Sequence, residues 1–222
     1  GLLLPAVGMV RNKVKDVQCI NNLRQVAMII EGYRQEHEDK FPYSLVGLVY
    51  DTSYGLPAKS LLCPFDPLKG TDPGLNRRSS WDSGTTNWSQ YLGETPTSPF
   101  APVPPAGQTQ IGCSYSNEMS GAVGIGRMTP AIAALFYSSS VPDANTISWA
   151  DAKLNQQLNG NFGKPFPPSK FPIIRCWWHQ DWNHPVRPWE TLKCNNVSLS
   201  FNVFWSSSEW EFDVNPNFQH AN

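Results

Sequence analysis

The sequence predicts an α+β fold: a long N-terminal α-helix packed on an antiparallel β-sheet head that carries a large Pro-rich loop excursion. Three observations predict it: apolar residues at helical spacing near the start, alternating apolar and polar residues near the end, and 20 prolines between and around them. Residues 1–40 form the helical part and 41–222 the head, with 61–110 as an irregular excursion.

The helix is expected from about Ala6 to Glu38. Val10, Val14, Val17, Ile20, Leu23, Val26, Ile30 and Tyr33 recur every three or four positions, which draws an apolar stripe on a helix of 3.6 residues per turn. Arg11, Lys13, Lys15, Asp16, Arg24, Gln25 and Glu31 fall largely elsewhere. Asp39 and Lys40 make a polar turn and Pro42 the stop. A rod of roughly 50 Å at 1.5 Å per residue exceeds what one small head can cover, so a further partner surface is expected. The start, Gly1 to Val10, is apolar but shorter than the roughly 20 residues that span a bilayer, and reads as the tail of a longer hydrophobic segment.

Proline at nearly twice its usual share of about 5% fixes φ and removes donors, so turns and extended loops are expected to outnumber helices in the head. Residues 43–60 suit a short helix or loop around Ser44 to Tyr50. The stretch with Pro96, Pro99, Pro102, Pro104 and Pro105 should run extended. Strands are expected at Ile111–Ser116, Ala131–Tyr137, Thr146–Trp149, Pro172–Trp178 and Asn196–Trp205, the last with the clearest alternation. A closing strand is expected at Trp210–Phe212 after the turn Ser206–Glu209.

The charge balance is 17 Lys+Arg against 18 Asp+Glu, and charged residues make up only 16%. Nucleic-acid binding needs a basic footprint, and a membrane-surface domain needs a polybasic patch; neither is present. Five cysteines, Cys19, Cys63, Cys113, Cys176 and Cys194, include no Cys-x-x-Cys pair. In a chain poor in Lys this fits an exported protein with one or two disulfides, and the odd count leaves at least one thiol over.

The ligand-type cluster in the sequence is Cys176, His179, His184 and Cys194. It could hold zinc, but its spacing matches no standard finger, and a disulfide Cys176–Cys194 across neighbouring strands is the reading carried forward. Asp66, Asp72, Asp82, Asp143 and Asn145 lie in turns that could supply oxygen ligands, so calcium is the one cofactor left open; no resident cofactor or metal is otherwise expected. Gly121 to Gly126 lacks the Lys-Ser/Thr ending of a phosphate loop and reads as a turn. No Gly-x-Ser-x-Gly or His-Glu-x-x-His is present, and His37 and His220 sit where exposure is expected, so no catalytic residue is assigned and the chain is not expected to be an enzyme. Trp177, Trp178, Trp182 and Trp189 form an aromatic cluster that suits a subunit contact surface, or ring stacking on a sugar in a secreted carbohydrate-binding module. Asn87 and Asn196 begin glycosylation sequons, the second inside an expected strand.

Leu2-Leu-Leu-Pro-Ala-Val7, Cys19-Ile-Asn-Asn-Leu-Arg-Gln25, Tyr33 and Lys40-Phe-Pro42 together resemble the N-terminal helix of type IV pilin-like proteins and type II secretion pseudopilins. The likeness is closest to the bacterial group with a prepilin-type cleavage and methylation segment. Cys63-Pro-Phe-Asp-Pro67 resembles that group's Cys-Pro-x-Asp element, and Cys113-Ser-Tyr-Ser-Asn117 its Ser-Tyr-x-x-Asn element. Phe171 to His179, Asn196 to Asn202 and Glu209 to Glu211 are similar to its closing strands. The family's Phe-Thr-Leu-Ile-Glu start is not among these residues, so its register glutamate is assigned to no position.

The resemblance implies a structural subunit of an extracellular or cell-surface bacterial filament, with a type II secretion pseudopilin as the related alternative. It implies copies of the same chain as partners and a core built from Leu2, Leu3, Leu4, Val7, Val10, Val14 and Val17. It also implies an assembly machinery, and passage through the inner membrane if a hydrophobic segment precedes.

Overall fold

The protein is described here by a computed structural model, which covers residues 3–71, 94, 101–123, 137, 142–143, 145–160, 164–179, 193–207 and 210–214; of residues 3–6 and 212 only the backbone is described. Helix α1 runs Leu3–Glu36, about 51 Å at 1.5 Å per residue. It ends where Glu38 and Asp39 adopt positive φ and the Asp39 amide returns to the Arg34 carbonyl at 2.9 Å, which occupies a carbonyl that the last turn leaves open.

The apolar residues of α1 do not form one straight stripe. At about 100° per residue, each step of three lags behind the helical repeat, and the line from Val14 through Val17, Ile20, Leu23 and Val26 winds around the rod. Cys19, Leu23, Val26, Ala27 and Ile30 are buried, whereas Val7, Val10, Val14 and Val17 are 46–62% exposed. The two groups lie about half a turn apart around the helix axis. The distal half of α1 therefore seats on the head, and the apolar side of its proximal half looks the other way.

The head is a four-stranded antiparallel sheet in the order β1-β2-β3-β4, with β1 Ser116–Asn117, β2 Pro172–Cys176, β3 Lys193–Ser198 and β4 Val203–Ser207. An α+β fold with a long first helix and an antiparallel sheet is thus present. Helix α1 packs on β3, β4 and a 3-10 turn at Ala58–Leu61. The Asn22 amide donates to the Leu62 carbonyl at 2.9 Å and the Ser60 hydroxyl to Gln25 Oε1 at 2.6 Å. Short helix α2, Leu45–Tyr50, is capped by Ser44, whose hydroxyl accepts from the Gly47 amide.

Three expected strands change character. Asn196–Trp205 is not one strand but the hairpin β3-β4. Phe201 takes φ 58°, the Phe201 amide returns to the Ser198 carbonyl at 2.8 Å, and the Ser198 amide bonds the Asn202 carbonyl at 2.8 Å. Leu199 and Phe201 continue the alternation because both still pack on the core from the turn. Thr146–Trp149 is not a strand: Ser148 and Asp151 form a reciprocal capping box that starts helix α3, Trp149–Asn159. Trp210–Phe212 belongs to a short helix α4, Trp210–Val214, which places the Trp210 ring against Phe166 and Phe171 at 4.9 and 5.0 Å. The strand expected at Ile111–Ser116 is confined to Ser116–Asn117, and the one at Ala131–Tyr137 lies, but for Tyr137, outside the described residues.

The two faces of the sheet differ in chemistry. Cys176 pairs with Asn195 and Ile174 with Val197 across β2-β3, and these four look toward α1. Arg175 and Asn196, also a register pair, look away and bond at 2.9 Å, while Arg175 reaches the Ser207 carbonyl at 3.0 Å. Asn196 is fully buried, so its sequon is inaccessible in the fold.

Candidate metal centre

Four ligand-type side chains from three separate parts of the chain converge where α1 meets the sheet. They are Cys19 at the middle of α1, Cys63 in the turn after the Ala58–Leu61 segment, Cys176 at the end of β2, and His179 three residues later. One ligand atom from each lies within 4.8 Å of every other. Cys19 and Cys176 are 0% exposed and Cys63 is 3% exposed.

Each arm is held by local structure. Cys19 is carried by the same face of α1 that buries Leu23 and Ile30. Cys63 sits at the head of an Asx turn in which Asp66 Oδ1 accepts from the Leu68 amide and Oδ2 from the Gly70 amide and the Ser114 hydroxyl, at 2.6–2.7 Å. That turn lies flat on residues 112–113. A Cβ at Gly70, which has φ +77°, would fall 2.4 Å from the Cys113 amide nitrogen, so only glycine fits. Cys176 is aimed by the pleat of β2.

The histidine is oriented from behind. Its Nδ1 lies 2.9 Å from Asp16 Oδ1 on α1, and a carboxylate only accepts, so Nδ1 carries the proton. The Nε2 lone pair is then turned toward Cys63 Sγ at 3.7 Å. Phe65 packs edge-on against the imidazole at 4.8 Å. The Tyr115 hydroxyl lies 4.0 Å from Cys19 Sγ.

The electrostatics follow from three thiols sharing one buried space. Hydrogen bonds from Cys176 and Cys63 bring Cys19 down to about 4, against burial and with help from Tyr115 and Asn195. Burial, with the charge on Cys19 and Cys63, pushes Cys176 well above the ordinary thiol range. The Cys176 hydrogen bond draws Cys63 down, but Cys19 and burial together leave it raised. Burial also works against a charged His179, yet Cys63 and Asp16 outweigh it and its pKa rises. A cation among the sulfurs is what would allow all three thiols to ionise together.

The sequence brought only two of these four together. His184 lies outside the described residues, and Cys194 belongs elsewhere: Cys176 faces Asn195 across the ladder, so the pleat turns Cys194 to the opposite side of the sheet. No disulfide joins any of the five cysteines, and the expected Cys176–Cys194 bond is excluded by strand parity. Cys19 and Cys63 were missed because their separation follows no local ligand spacing. Their signal was the pairing of Cys-x-Asn-Asn-Leu with Cys-Pro-x-Asp, two elements that tertiary packing makes neighbours.

Other expected sites resolve differently. Trp177 and Trp178 are 1% and 3% exposed and belong to the core rather than a contact surface. Trp177 donates to the Ser116 hydroxyl at 3.0 Å and stacks under Arg175 at 4.2 Å. Trp182 and Trp189 lie outside the described residues. Among the described residues Trp205 is the exposed tryptophan, with Lys193 over its ring at 4.7 Å. Of the turn residues considered for calcium, Asp66 is occupied as above and the Asp143 carboxylate accepts from Asn145; Asp72 and Asp82 lie outside the described residues. Of the proximal helix residues, Val7, Val10, Val14 and Val17 are exposed, the side chains of Leu3 and Leu4 are not described, and Leu2 lies outside the described residues. No described helix is long and apolar enough to cross a membrane.

No protein-family model matches the chain, and neither a curated protein nor a solved structure matches it.

Proposed function

We propose that the chain is a structural subunit of a pilin-like filament on the outside of a bacterial cell, assembled through the proximal half of α1. The observation that carries this reading is the change of face along one continuous helix. Cys19, Leu23, Val26 and Ile30 hold the distal half to the head, while Val7, Val10, Val14 and Val17, spaced three, four and three apart, stand exposed on the other side. A contiguous apolar stripe rimmed by Arg11, Lys13 and Lys15 marks an interaction surface, and the 3-4-3 spacing is that of a helix seam against other helices.

Copies packing through one heterologous contact generate an open helical polymer. Apolar burial along the stripe, at about 25 cal/mol per Å², supplies the cohesion, and the heads lie outside the helical core. The pilus or secretion assembly machinery is the corresponding partner in the cell. A secreted carbohydrate-binding module is the less favoured reading, since Trp177 and Trp178 are packed away from solvent.

The test is sedimentation and electron microscopy of the native protein beside a Val10→Asp/Val14→Asp variant. The reading expects fibres of uniform width from the former and dispersed monomers with an intact fold from the latter. Dispersed monomers from both would sink it.

A further inference from the structure

We propose that Cys19, Cys63, Cys176 and His179 bind one zinc ion in a closed Cys3His tetrahedron that clamps α1 to the head, with Asp16 as the positioning residue behind the histidine. The proposal is independent of filament assembly, since the four ligands and Asp16 lie within one chain.

The geometry suits zinc in four respects. Zinc takes four sulfur and nitrogen ligands tetrahedrally, with Zn–S about 2.3 Å and Zn–N about 2.0–2.1 Å. Those bonds place neighbouring ligand atoms roughly 3.5–3.8 Å apart. Here Cys63 Sγ and His179 Nε2 are 3.7 Å apart and every pair is within 4.8 Å, so closure needs rotamer adjustments of under about 1 Å. The histidine already presents a lone pair inward and an N–H to a carboxylate, the outer arrangement that fixes ligating histidines. The Tyr115 hydroxyl, 4.0 Å from the Cys19 sulfur, is placed to donate to it.

The ligand set also says what the ion does. Four protein ligands leave no open position for water or substrate, and burial keeps solvent away, so the site is structural rather than catalytic. Each thiol gives up its proton on binding; three thiolates, one neutral imidazole and Zn²⁺ leave a net charge of −1 among buried donors. Coordination ties residue 19 to residues 63, 176 and 179, closing loops across most of the chain. It also keeps three neighbouring thiols from pairing in an oxidising space.

The experiment is elemental analysis of the full chain purified without chelator, followed by exchange for Co²⁺. One zinc per chain is expected, and the Co²⁺ form should show the visible bands of a tetrahedral site with thiolate-to-cobalt charge transfer. Cys113→Ser and Cys194→Ser should keep the metal. Cys19→Ser, Cys63→Ser and Cys176→Ser should lose it. Because those variants could unfold, His179→Cys is the second measure: it should retain one metal and raise the charge-transfer intensity by about a third, as four thiolates replace three. Metal far below one per chain, a disulfide joining two of Cys19, Cys63 and Cys176, or metal retained in Cys19→Ser and lost in Cys194→Ser would each overturn the proposal.

Discussion

Asp16 Oδ1 and His179 Nδ1 meet at 2.9 Å across 163 residues of sequence. Helix α1 delivers Asp16 one turn before Cys19, so the same helix carries one proposed ligand and the group that orients another. Asp16→Asn keeps the size and removes the obligate acceptor, leaving the imidazole tautomer unset. It should weaken metal binding about 10- to 100-fold while leaving the fold intact, measured by competition with a chromophoric chelator. An unchanged affinity would reduce Asp16 to a surface contact.

Asp66 organises the turn that carries Cys63 through three short hydrogen bonds, two from amides and one from Ser114. Asp66→Ala leaves buried donors unpaired, and each such donor costs about 1–3 kcal/mol. Denaturant unfolding should show a loss of at least that size, and Ser114→Ala a smaller one.

The two halves of α1 should respond differently to truncation. Leu23 is fully buried, so Leu23→Ala should cost about 2–5 kcal/mol of stability. Val14 is 61% exposed, and Val14→Ala should stay within about 0.5 kcal/mol in the monomer. Equal effects in chemical denaturation would contradict the placement of α1 on the head.

Lys153 on α3 is 4% exposed and lies over the rings of Phe171 and Trp210 at 5.1 and 5.3 Å. Burial lowers its pKa below the ordinary 10.5, against the pull of Glu118 and Glu211. A lysine with a lowered folded pKa binds fewer protons folded than unfolded in the window between the two values. Stability from this group therefore rises with pH through that window and levels off above 10.5. Lys153→Met should flatten that rise relative to the parent chain in urea unfolding followed from neutral pH to pH 10.5; parallel curves would count against it.

Much of the fold was legible because long periodic segments report their own geometry. The recurrence of apolar residues every three or four positions from Val10 to Tyr33 announces α1, and Pro172 to Cys176 announces β2. What misled was local ambiguity. Leu199 and Phe201 keep alternating through a turn that their positive-φ backbone makes, and Trp210 to Phe212 is too short for its apolar content to choose between strand and helix. The Ser148…Asp151 capping box was visible in the sequence and identifies α3 better than the β-prone Thr146-Ile147 identifies a strand.

The candidate metal site was half legible for a different reason. Cys176 and His179 are neighbours in sequence, whereas Cys19 and Cys63 reach them only after α1 docks on the sheet. Pleat parity, which separates Cys194 from Cys176, becomes readable once the register Cys176↔Asn195 is known.

Assembly through the proximal half of α1 is decided by a helical reconstruction from electron cryomicroscopy of fibres isolated from the native source. The expected result is a core of packed α1 helices in which Val7, Val10, Val14 and Val17 contact neighbouring copies and the sheet heads lie outside. A reconstruction with those four valines in solvent, or with the heads alone forming the contacts, would contradict it.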